Sequence, residues 1–109
     1  MTAVLHAGRL VSDADPTDIY LRPGEVADRL GVPETYPTRW ATATPRYGAD
    51  GPLPYPANVP GQHAVIHGVV LVLTSALDAW ADAVAAAPPE FGAGGPLKWA
   101  RTWAAGRVA

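Results

Sequence analysis

Apolar and polar positions fall in blocks along this chain, and each block suggests an element. Ala3 to Val11 is mildly apolar, as a short strand or an extended arm would be. Ser12-Asp13-Ala14-Asp15-Pro16-Thr17-Asp18 is a turn by its chemistry, because short polar side chains bond their own backbone and Pro16 fixes φ. Ile19-Tyr20-Leu21 leads into a helix over residues 23–30. Pro23 suits the first helical position, where an N–H has no partner anyway. Glu25 complements the helix dipole. Val26, Ala27 and Leu30 share one face, with Asp28 and Arg29 toward solvent. Gly31 accepts the left-handed conformation that stops the helix, and Val32 supplies the usual apolar contact after it.

Proline governs the next block. Pro37 lacks a donor and clashes with a preceding turn, so the second helix is expected to begin there and run to about Thr44, with Pro45 ending it. Residues 45–61 form the longest irregular stretch, broken by Gly48, Gly51, Pro52, Pro54, Pro56 and Pro60. Tyr47 and Tyr55 are expected to pin it to the body. Residues 63–87 have two readings. Val65, Ile66 and Val69 to Leu73 suit a buried strand or hairpin broken at Gly68, followed by a helix from Ala76 under a Ser75-x-x-Asp78 cap. The alternative is one buried helix ending before Pro88; the cap and Gly68 favour strand then helix. In that helix Leu77, Trp80, Ala81 and Val84 form the apolar face. Residues 88–96 read as a linker, and residues 97–108 as a short amphipathic helix with Trp99 and Trp103 on one side and Lys98, Arg101 and Arg107 making it basic. There is no internal repeat.

Length and composition place these elements in one globular domain over residues 1–87, followed by the linker and a Trp-containing tail over 97–109. An apolar fraction of 49% and a charged fraction of 17% are those of a folded chain, not a disordered one. Without cysteine there are no disulfides, no thiolate chemistry and no sulfur-bound zinc. The first residues lack the basic start and long apolar run of a signal peptide. The most apolar window, residues 64–77, is shorter than the roughly 20 residues that span a bilayer. The reading is therefore cytoplasmic, with no membrane segment. The net charge of −2 lacks the general basic footprint of a nucleic-acid binder and leaves that function to locally clustered arginines.

Catalytic chemistry finds no footing. Ser12 and Ser75 sit in no nucleophile elbow, and Gly92-Ala93-Gly94-Gly95 lacks the lysine and hydroxyl of a phosphate loop. His63 and His67 would share a helical face, with His6 as a third ligand, but the H-E-x-x-H pattern is absent. Asp78 and Asp82 at i, i+4 read as a solvated helix face. The expectation is a protein that is not an enzyme, with no cofactor, no metal and no evident small-molecule substrate.

Residues 20–32, Tyr-Leu-Arg-Pro-Gly-Glu-Val-Ala-Asp-Arg-Leu-Gly-Val, resemble the first helix and turn of excisionase-like and MerR-like helix-turn-helix domains, and Arg39-Trp40 falls at that family's R-W spacing. Val69 to Leu73 followed by Ser75-Ala76-Leu77-Asp78-Ala79-Trp80 is similar to the strand, serine cap and L-D-A-W helix that come after its wing. The resemblance covers about residues 20–45 and 64–85. It differs at Pro33, Glu34 and Pro37, where the family has a polar and basic recognition helix, and in the long loop that stands where its wing is short. It implies a mainly α (α+β) fold: a small winged helix-turn-helix-like domain with a long Pro/Gly loop and a C-terminal amphipathic helix. It also implies binding to duplex DNA as a phage or bacterial regulator or recombination directionality factor, acting with a second copy of itself. Base contacts would come from Thr35, Thr38, Arg39 and Thr42, and phosphate contacts from Arg22, Arg29 and Arg46. A second likeness is to phage head-to-tail connector or assembly proteins, which open with an L-x-x-x-E-V-x-x-x-L helix and later carry a long apolar helix after a proline. That implies a virion component or adaptor acting through protein contacts, for which Trp99, Arg101 and Trp103 are candidates.

Overall fold

A computed structural model describes residues 3–42, 47–51 and 53–86. The linker, the tail with Trp99, Arg101 and Trp103, and Arg46 lie outside the described residues. Two strands open the chain, β1 (Ala3–His6) and β2 (Arg9–Ser12), paired antiparallel with Leu5 opposite Leu10. Ala7 and Gly8 join them at φ 52° and 80°. That pair of left-handed residues is the two-residue turn whose twist matches paired strands. The polar segment expected to turn does so: Asp15 accepts hydrogen bonds from the Thr17 backbone and hydroxyl, and the Ser12 N–H reaches Asp18 O at 2.9 Å.

β3 (Tyr20–Leu21) leads into α1 (Pro23–Leu30), with the boundaries that its proline, apolar face and glycine predict. Gly31 has φ 69°, and the Val32 N–H closes on Ala27 O at 3.0 Å. α2 spans Thr35–Thr42, two residues earlier than the expected start at Pro37, and Pro37 is buried inside it. The first four N–H groups of a helix have no intrahelical partner, so a proline in the first turn removes no bond.

Residues 63–73 form a hairpin of β4 (His63–Ile66) and β5 (Val69–Leu73), turning on His67-Gly68 at φ 51° and 78°. α3 (Thr74–Ala86) follows directly. The strand-then-helix reading holds, and the single long helix does not. The helix begins two residues before Ala76 and its cap comes from elsewhere. The Thr74 N–H and hydroxyl both bond Ile19 O, and the Ser75 N–H and hydroxyl both bond the Asp18 carboxylate.

The chain is thus an α+β unit with, among the described residues, three α-helices and two small antiparallel sheets, β1-β2 and β3-β5-β4. A Val11–Ile19 bridge connects the sheets. The three-stranded sheet is the middle layer. On one face Leu21 and Val72 join Val26, Leu30, Leu77, Ala81 and Val84 in the main core. On the other, Tyr20, Leu71 and Leu73 pack beneath Leu10 and Ala3 of the first hairpin. An aromatic group closes the main core: Trp40 and Trp80 lie 4.8 Å apart, Tyr55 is 4.9 Å and Tyr47 5.8 Å from Trp80. The Trp80 indole donates to Leu53 O at 3.1 Å, and Asn58 donates to Tyr47 O at 2.8 Å. The tyrosines and Trp80 therefore hold the Pro/Gly-rich stretch against the body, as expected of them. No helix among the described residues is long and apolar enough to cross a membrane.

Candidate functional site

α2 carries the residues that the sequence singles out. Thr35, Thr38, Arg39 and Thr42 are all exposed, while Pro37 and Trp40 turn inward. The helix is amphipathic, so burying Trp40 against Trp80 and Tyr55 fixes which side looks outward. Arg39 lies over the Tyr36 ring, 6.0 Å from its centroid, a position that orders the guanidinium. The Thr42 hydroxyl is turned back, donating to Thr38 O and Arg39 O at 3.2 Å.

The other arginines part company. Arg22 is exposed at the start of α1 and makes no ion pair among the described residues. Arg29, a candidate phosphate contact, instead forms a two-pronged pair with Asp78 of α3 at 2.8 and 3.0 Å. That hydrogen bond, together with the Asp78 charge, outweighs burial and raises the Arg29 pKa, so its charge is spent on joining α1 to α3. Through Ala86 the sequence has five arginines against nine carboxylates, and Glu34 stands exposed just before α2.

The β4–β5 hairpin flanks α2. Between them runs a groove of about 350 Å³ lined by Pro23, Pro37, Ala41, Val69 and Val70, with Thr38 and Thr42 at its side. The hairpin tip carries Ile66 and Val69 on either side of His67-Gly68, and both are 42% exposed. A surface shaped to grip phosphates would place basic or polar groups here; this one is apolar. His63 is not paired with His67 on a helix; its Nδ1 lies 2.9 Å from Val59 O. Among the described residues no group of three metal-ligating side chains occurs.

A second concavity is invisible in the sequence. It lies between the two hairpins, about 690 Å³, with Leu5, Arg9 and Leu10 from the first hairpin, Ile66, Val69 and Leu71 from the second, and Tyr20, Arg22 and Glu25 between them. Arg9 and Glu25 form an ion pair across it, and Glu25 also accepts the Arg22 backbone N–H at 3.1 Å. Partial burial pushes the Glu25 pKa up, but these hydrogen bonds and the charges of Arg9 and Arg22 outweigh it and hold the carboxyl below its ordinary range. The first hairpin, though not the cleft, has a signal in Ala7-Gly8 between short apolar runs, a two-residue hairpin turn. Neither a family model, nor a curated protein, nor a solved structure matches this chain.

Proposed function

We propose that this chain is a small DNA-binding protein on a winged helix-turn-helix plan, with α2 as the base-reading helix and the β4–β5 hairpin as its wing. The observation that carries the reading is an arrangement. α1, the left-handed Gly31 and α2 stand beside a sheet in which β5 is the middle strand, so the hairpin lies next to the exposed side of α2. A helix presenting Thr35, Thr38 and Arg39 outward, beside a hairpin, can enter a major groove while the hairpin follows the backbone. Arg22 and Arg39 serve as the phosphate and base cations. Few cations mean weak binding by one copy, so two copies on a repeated site are part of the proposal. A phage or bacterial regulator or recombination directionality factor is the matching role.

Fluorescence anisotropy of labelled mixed duplex DNA, titrated with salt, tests it. Binding is expected at low salt, falling steeply toward physiological salt, and Arg39→Ala should reduce it roughly tenfold or more, the worth of one good base contact. Absence of binding at low salt would refute the proposal.

A second reading has its own observation in favour. The apolar groove beside α2, the apolar hairpin tip and the excess of carboxylates suit a protein surface better than a phosphate backbone. On this reading the chain is an adaptor or assembly component. The connector likeness loses its long apolar helix, because residues 63–73 are a hairpin. Light scattering that shows a defined assembly, with no DNA binding, would favour it.

A further inference from the structure

We infer that the cleft between the two hairpins binds an amphipathic organic acid, an alkyl or aryl body carrying a carboxylate. The inference shares Arg22 and the β4–β5 hairpin with the DNA-binding reading, but its test uses no DNA, so either can fail without the other. Its volume of about 690 Å³ falls in the range of small-molecule sites. The lining divides into two chemistries. Leu5, Leu10, Ile66, Val69, Leu71 and the Tyr20 ring supply apolar walls. Arg9, Arg22 and Glu25, with His67 at the hairpin tip, supply the polar side, where two arginines stand against one carboxylate.

That imbalance sets the sign of the ligand. Glu25 is engaged by Arg9 and by the Arg22 N–H, so it leaves the Arg22 guanidinium without an ion pair among the described residues. Arg9 adds a second guanidinium to the same wall, held there by Glu25. A carboxylate beside these guanidiniums gains charge-assisted hydrogen bonds. A cationic ligand would meet two guanidiniums instead. The walls decide the rest. Leu5 is 75% exposed, and Ile66 and Val69 are 42% exposed. Three of the large apolar side chains left in water thus line this one cleft, two of them on one hairpin and one on the other. Apolar groups held in water around a polar centre mark a groove that awaits an apolar partner.

The test uses the full chain and isothermal titration calorimetry with dodecanoate, 2-naphthoate, dodecanol and dodecylammonium, each below its aggregation limit. Saturable one-to-one binding of dodecanoate or naphthoate is expected, at least tenfold tighter than dodecylammonium. Arg22→Gln should weaken the acid about tenfold while leaving dodecanol unchanged; it keeps the backbone N–H that caps Glu25. Leu5→Asp should weaken both, and because Leu5 is so exposed the variant folds, which circular dichroism checks. Dodecanoate preferred over naphthoate points to an acyl chain as the natural ligand class, and the reverse points to an aryl acid. The inference is overturned by no binding, by equal binding of acid and amine, or by acid binding that both variants leave intact. It is also overturned if Ala41→Asp, in the other groove, abolishes binding while Leu5→Asp does not.

Discussion

The two hairpins of this protein solve the same local problem in the same way and then diverge. Each joins two short apolar strands through a non-glycine residue and a glycine, both left-handed: Ala7-Gly8 and His67-Gly68. Beyond the turn their circumstances differ. β5 has a partner on both sides, and its two faces enter two clusters, with Val72 in one and Leu71 and Leu73 in the other. The β1–β2 hairpin enters only the second of those clusters, through Ala3 and Leu10, and is tied on by the Val11–Ile19 bridge, the Ser12–Asp18 bond and the Arg9–Glu25 pair. A turn is enough to make a hairpin, whereas the number of layers it enters decides how much of the molecule depends on it. Cooperative units follow contacts, not local geometry.

Three measurements press on that contrast. Leu73→Ala, in the central strand, should cost about 2–5 kcal/mol, the usual range for a buried leucine. Urea unfolding should show it as a shift of the single global transition. Glu25→Gln should cost up to about 1 kcal/mol, the scale of a partly exposed ion pair, because the amide oxygen still accepts the Arg22 N–H. Hydrogen exchange should then quicken in β1–β2 and stay unchanged in β4–β5. Acid should mimic it. The Glu25 pKa is lowered on folding, so its contribution is complete above the unfolded value, about 4.3, and fades as pH falls through the folded one. Exchange in β1–β2 that quickens in step with β4–β5 as the pH falls would mean the two hairpins open as one. Effects of similar size are expected at the turns. Gly8→Ala and Gly68→Ala meet no atom within 4 Å, so only left-handed strain remains, about 1 kcal/mol each. Gly68→Ala should lower the global midpoint, and Gly8→Ala should alter β1–β2 exchange alone.

What could be read from the sequence was what neighbouring residues decide among themselves. α1 carries its own start, stop and face in Pro23, Gly31 and the Val26-Ala27-Leu30 set, and so both its ends are as expected. The apolar face of α3, Leu77, Trp80, Ala81 and Val84, is buried as its spacing required. Errors entered wherever a distant residue acts. Ser75 looked like a cap acting on its own helix, but its partner is Asp18, fifty-seven residues earlier in the chain. Pro37 looked like a helix start, yet the first turn tolerates it and the core takes its ring. Arg29 looked like a free cation until α3 brought Asp78 to it. The cleft between the hairpins lay beyond sequence reasoning, because its walls come from residues about sixty apart that only the packing of one sheet on the other brings together.

The aromatic core has an optical consequence. Two indoles with centroids 4.8 Å apart and planes inclined at 50° couple their transitions, so the native protein should show an exciton couplet in far-ultraviolet circular dichroism. That signal reports the distance between α2 and α3 and not their helicity. Through the Trp80–Leu53 bond it also reports whether the long loop is seated. A spectrum taken as helix content alone would misjudge this fold, whereas Trp40→Phe, with the couplet subtracted, would recover it.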